Sequence, residues 1–168
     1  SAVFQDFVRY NAELRTNIGI SDWRKMDNDI LLEDAVKKAG ADEVMSSLSE
    51  GYETLLGPEV GGVDLSGGQW QRTAMARGLF RDAQIIVLDE PTASLDPITE
   101  LSIFERFSSM TQGKTTILIS HRLGMARLAD RIIVLERGKL VEYGDHDSLI
   151  KLGGKYAELF NTQARWYR

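Results

Sequence analysis

The chain contains no cysteine, which excludes disulfides and thiolate-bound metal sites. With no disulfide requirement and no secretory pattern, the cytosol is the expected compartment. A basic excess is missing as well. Lys and Arg number 20 against 25 Asp and Glu, a formal net charge of −5, so there is no global electrostatic case for nucleic acid. Long apolar runs are absent: Ile85 to Leu88 and Ile132 to Leu135 are far too short to cross a bilayer. Any membrane is expected beside this chain rather than around it. No internal repeat and no low-complexity segment is visible. What remains is ordinary for a globular domain, with 168 residues, 43% hydrophobic and 27% charged, enough for one domain with a core.

The chain opens on Ala2-Val3-Phe4, which reads as the end of a buried strand, followed at once by Gln5 and Asp6. A domain seldom starts inside a strand, so sequence upstream is expected. From Asn11 to Gly57 the pattern is helical, with Leu31, Leu32, Ala35, Val36 and Ala39 forming an amphipathic stripe that Gly40 closes. Gly57 to Gly62 reads as a loop. Ile85 to Leu88 is an apolar strand, Pro97 to Met110 a helix with Ile98, Leu101, Phe104, Phe107 and Met110 on one face, and Thr115 to Ile119 a second buried strand. Arg131 to Leu135 and Leu140 to Tyr143 flank Gly138 as a hairpin, and the tail from Asp147 is helical with a break at Gly153-Gly154. Strands alternating with helices imply an α/β domain with a mostly parallel sheet.

Leu65-Ser66-Gly67-Gly68-Gln69 is the most informative stretch. It sets a hydroxyl and two bare backbone amides at the start of a helix over Trp70 to Phe80, where exposed N–H groups and the helix dipole attract phosphate. Ser66 with Gln69 three residues on is equally a capping box, which needs no ligand. Two glycines cost helix stability that a cap does not require. Next, Ile85 to Leu88 runs into Asp89-Glu90, delivering two carboxylates to the carboxyl edge of a parallel sheet. Such a pair can hold Mg²⁺ and polarise a water, or it can simply be a solvated strand end.

Leu65 to Gln69, followed by Trp70-Gln71-Arg72, resembles the signature motif of the ATP-binding cassette family, and the family's other elements arrive in its order from Gln5 to about Gly144. The resemblance implies the C-terminal part of a RecA-like P-loop NTPase core plus an α-helical subdomain. Residues 1–8 would end a core strand and carry the Q-loop, 9–80 form the helical subdomain, and 81–168 supply the rest of the core and the C-terminal helices. Asp89 is then the magnesium residue and Glu90 the general base of the Walker B motif. Gln5 is the Q-loop glutamine, a second Mg²⁺ contact. Ser66, Gly67, Gly68 and Gln69 contact ATP held by an opposite subunit. Ser94-Leu95-Asp96 matches the D-loop, although Asp96 before Pro97 also reads as a helix N-cap. His121 matches the switch histidine at the γ-phosphate, while a histidine past a strand edge is commonly structural. His146, matching nothing catalytic, is expected at the surface.

Glu59-Val60-Gly61-Gly62 resembles the loop that exporter-type cassettes press against the transmembrane domain, with its last part altered. The resemblance therefore implies an ATP- and Mg²⁺-dependent motor at the cytoplasmic face of a membrane, paired head to tail with a second nucleotide-binding domain. A cassette protein without a transport role, or a non-enzymatic interaction module, are the alternatives. No Gly-x4-Gly-Lys-[Ser/Thr] phosphate loop is present: Gly113-Lys114-Thr115 has Ser108 where the first glycine belongs, and no lysine follows Gly67. A micromolar site takes about 8 kcal/mol, whereas one helix terminus supplies roughly 0.3–1 kcal/mol. The expectation is thus a cassette domain truncated before the Q-loop, lacking its Walker A loop and inactive alone.

Overall fold

The structure, a computed structural model, describes residues 1–93, 103, 105–107 and 109–166. It divides into two compact units, Ser1–Ile119 and Ser120–Arg168. The first is built on a parallel sheet of β1 (Ala2–Val3), β2 (Ile85–Asp89) and β3 (Thr115–Ile119), in the order β1-β2-β3. Ala2 pairs with Val87, and Asp89 with Ile119. The apolar run of β2 alternates in burial as a pleated strand must: Ile86 and Leu88 are buried while Ile85 is 55% exposed. β3 departs from the buried strand expected of it. Ile117 and Ile119 are half exposed, on the same sheet face as the exposed Ile85 of β2, a face that the described residues leave largely uncovered.

The helical stretch of residues 11–57 is broken rather than continuous. It contains α1 (Leu14–Gly19), α2 (Asp29–Lys38) and α3 (Asp42–Ser46), with 3₁₀ turns at Ile20–Lys25 and Gly51–Glu53. The Asn28 side chain caps α2 by accepting from Leu31 N at 3.2 Å, and Leu32, Ala35, Val36 and Ala39 are buried along the predicted stripe. Gly40, at φ 63°, ends it in the left-handed conformation. α4 (Gly67–Phe80) packs against both α1 and α2 and is buried on most sides through Trp70, Ala74, Met75, Ala76 and Phe80. It starts at Gly67, three residues before the predicted start, because the Ser66 cap closes ahead of the glycines. At Gly78 this helix lies so close to β1 that a Cβ there would sit 2.4 Å from Val3 Cγ2. Only glycine permits that approach.

Beyond β2, residues 105–107 and 109–111 are helical, with Ile103, Phe107 and Met110 buried. Ile98, Leu101 and Phe104 of the predicted helix lie outside the described residues. Gly113 turns the chain at φ 72°, Lys114 pairs with Asp82 at 2.9 Å, and β3 follows, so this Gly-Lys-Thr is a turn leading into a strand.

The second unit holds the hairpin of β4 (Ile132–Glu136) and β5 (Lys139–Gly144), flanked by α5 (Leu123–Ala126), α6 (His146–Leu152) and α7 (Lys155–Trp166). Arg137 and Gly138, both with positive φ (51° and 75°), make the two-residue turn that suits right-twisted strands. Ile132, Leu149 and Tyr156 centre its core. Gly153, at φ 67°, separates α6 from α7 at the predicted break. His146 is not at the surface as expected. It is half-buried, its Nδ1 lies 2.8 Å from the Tyr156 hydroxyl, and its ring packs edge-on against Tyr156 and Phe160. Its position one residue after the Asp145 cap turns it inward onto α7.

Candidate functional site

The N-terminus of α4 shows how Ser66 and Gln69 are held. Ser66 Oγ accepts from Gln69 N at 3.3 Å, and Gln69 Oε1 accepts from Ser66 N at 2.8 Å, a complete capping box. Leu65, 5% exposed, anchors the turn from below. Gly67 and Gly68 are the first two helical residues, and a Cβ at Gly67 would meet nothing within 4 Å. Packing among the described residues therefore does not demand glycine at that position.

At the far end of β2, Asp89 and Glu90 are both half-buried. Glu90 has φ 49°, the left-handed region that non-glycine residues seldom occupy. Its N–H donates to the Ile119 carbonyl at 2.9 Å, tying it to the end of β3. Its carbonyl accepts from Ala93 N at 3.1 Å and from Gln71 Nε2 at 3.0 Å. Gln71, only 2% exposed, comes from the second turn of α4. The structure thus joins the helix capped by Ser66 to the residue that follows β2.

Gln5 is exposed in a turn directly after β1. The chain beyond it is fastened to α4 and α1. Arg77 donates to the Val8 carbonyl at 2.9 Å and to the Asn17 carbonyl at 2.6 Å, with its guanidinium 4.6 Å from the centre of the Tyr10 ring. Burial pushes the Arg77 pKa down, with Tyr10 partly opposing, yet a guanidinium stays charged. Asn11 reaches across to the Glu59 loop, donating to Glu59 Oε2 at 2.9 Å. Glu59, Val60 and Gly61 are exposed on that loop.

His121 belongs to the second unit, where it is exposed and its carbonyl accepts from Gln163 Nε2. Ser94, Leu95 and Asp96 lie outside the described residues. Among the described residues no group of three or more His, Asp or Glu gathers as a metal cluster, and no helix is long and apolar enough to cross a membrane. Sequence reasoning missed three residues that hold these pieces together: Asn17, Gln71 and Arg77. Gln71 was visible only as part of the signature's extension, and a lone Asn or Arg on a helix carries no signal of its burial.

Known proteins resemble this chain in both sequence and fold. The family model described as ABC transporter matches residues 1–93. The subtilin transport ATP-binding protein SpaT of Bacillus subtilis is 41% identical over 164 residues, 97% of this chain and 27% of that protein. The sophorolipid transporter of Starmerella bombicola is 42% identical, over 96% of this chain and 12% of its own length. A bacterial Atm1-family ABC exporter with ATP bound superposes with a TM-score of 0.85 at 34% identity, covering 98% of this chain and 28% of that one. The chain therefore spans about a quarter or less of the length of these relatives. Its fold is the RecA-like core with a parallel sheet and an α-helical subdomain.

The matches also correct an expectation. The chain does not stand as a cassette domain truncated before the Q-loop and defined by a missing Walker A loop: the family model matches from residue 1, and the relatives follow the chain over almost all of it. Over those residues it matches the nucleotide-binding region of ABC transporters. With the matched family model, the relatives and the shared fold in agreement, the chain belongs to the ABC transporter family.

Proposed function

We propose that this domain is the ATP-hydrolysing motor of an exporter, working at the cytoplasmic face of a membrane. The observation that carries the reading is the end of β2. Two carboxylates stand side by side at the carboxyl edge of a parallel sheet, where such folds take their ligands, and the second is locked in an uncommon backbone conformation. Strained backbone of this kind persists where the surroundings impose it, and it clusters at functional sites.

In this reading Glu90 is the general base that accepts a proton from the attacking water. Asp89, with Gln5, would hold Mg²⁺, which when bound neutralises charge on the phosphate oxygens. Half-burial of Asp89 suits that role, since a Mg²⁺ site keeps several waters and needs a reachable carboxylate. His121 would contact the γ-phosphate. Ser66, Gly67, Gly68 and Gln69 would close on ATP held by a second nucleotide-binding domain, with Ser94, Leu95 and Asp96 contacting that partner. The open space at Gly67 supports this, because a glycine that nothing among the described residues requires leaves room for something outside them. Residues 1–8, 9–80 and 81–168 serve as Q-loop strand, helical subdomain and remaining core.

The Gln5 turn and the Glu59 to Gly62 loop would meet the transmembrane domain. The Asn11–Glu59 hydrogen bond supports their acting as one surface. SpaT is by name a transport ATP-binding protein, and the Atm1-family relative is by title an exporter, which favours export over a cassette without a membrane partner. In the complete protein, Glu90→Gln is expected to lower ATP turnover by about a hundredfold or more while ATP still binds. Phosphate release and calorimetric titration with Mg-ATP check both halves. Unchanged turnover would remove Glu90 from the role of base.

A further inference from the structure

We infer that Gln71 is a positioning residue for the hydrolytic carboxylate: it holds the backbone of Glu90 in the conformation that aims its side chain. The inference rests on the reading of Glu90 as the base and deepens it. A left-handed backbone is unfavourable for a glutamate, and relaxing it to the right-handed region would swing the Cα–Cβ bond to a new direction. Among the described residues, three of the hydrogen bonds that Glu90 makes oppose that relaxation. The pairing of Glu90 N–H with Ile119 and the Ala93 N–H bond to the Glu90 carbonyl are both main-chain bonds. The third comes from a side chain, Gln71 Nε2, at 3.0 Å.

Gln71 is suited to the task. It is 2% exposed, so its amide works shielded from water. It sits on α4, a helix held against α1 and α2, so the donor stays fixed relative to the sheet. Two residues earlier on the same helix, Gln69 closes the cap of Ser66. The bond lies on the carbonyl, away from the carboxylate, so Gln71 acts through Glu90 and not on the reacting atoms.

The test is made in the complete protein with Gln71→Met, which keeps the length and loses the donor. The kcat for ATP hydrolysis is expected to fall about tenfold with KM within about twofold, since a small misplacement of a catalytic group is felt in the chemical step. The thermal midpoint should stay close to that of the parent. In a Glu90→Gln background, Gln71→Met should lower the residual rate no further, because the two act as one unit. Should Gln71→Met not fold, Gln71→Glu replaces it: its turnover relative to the parent should rise as pH falls and the carboxyl becomes a donor. Parent-like kcat in either folded variant, a change confined to KM, or an additional loss in the Glu90→Gln background would overturn the positioning role alone. Normal turnover in Glu90→Gln by itself would overturn the base reading and this inference with it.

Discussion

Asn17 shows how much a single residue can hold. It is 0% exposed, and its amide uses its full capacity. Nδ2 donates to the carbonyls of Tyr10, Ala12 and Glu13 at 2.9, 3.1 and 3.2 Å, while Oδ1 accepts from Tyr10 N at 3.3 Å and from Arg77 at 3.2 Å. These bonds fold residues 10–13, which follow the Gln5 turn, against α1. Asn17→Leu would fill the volume but strand several buried polar groups at once. It is expected to destabilise by about 2–4 kcal/mol, read as a lower urea midpoint with unchanged slope. A loss within a few tenths of a kcal/mol would mean that water replaces the amide. Nothing in the order of residues marks Asn17, since a polar residue in a six-residue helix is as easily solvated as buried.

The N-termini of α6 and α7 are set by carboxylates. Asp145 caps α6, accepting from Ser148 N at 2.9 Å, and Ser148 Oγ accepts from Asp145 N in return. That bond holds the Asp145 carboxyl below its ordinary value of 3.8. A depressed folded-state pKa contributes stability that is complete above the unfolded value and lost as pH falls through the folded one. The melting temperature should therefore drop on acidification below 3.8, and Asp145→Asn should flatten part of that slope while keeping the cap. An identical pH profile in the variant would remove Asp145 from the acid response. α7 is capped from another element: Glu142 on β5 accepts from Lys155 N, and from Tyr156 N at 3.0 Å. The Gly138 turn and the Gly153 break were legible in sequence because each needs a left-handed backbone that glycine supplies. The Glu142 cap was not, since its partners lie in a different element.

At the scale of the whole molecule, the proposed pairing with a second nucleotide-binding domain separates two roles of Ser66. As a cap alone, Ser66→Ala should cost about 1 kcal/mol of stability and Ser66→Arg a similar amount. As a contact to ATP held by a partner, Ser66→Arg should also abolish turnover by crowding the α4 N-terminus, with ATP binding by the variant's own site retained. Steady-state phosphate release beside thermal melts distinguishes them. Parent-like turnover in a folded Ser66→Arg variant would end the head-to-tail reading.

The sequence by itself determined the alternation of strand and helix, the amphipathic stripe of α2, the capping box at Ser66 and the placement of Asp89 and Glu90 after an apolar strand. Each is written in local spacing. Only the tertiary structure decided that α4 is buried on most sides, that Gly78 admits Val3, and that Gln71 reaches the carbonyl of Glu90. It also decided the exposure of Ile117 and Ile119, which an apolar pattern alone had assigned to the interior. The physical reason is shared. Periodicity states which face of an element is apolar, whereas contacts between residues distant in the chain depend on which other element comes to lie against that face.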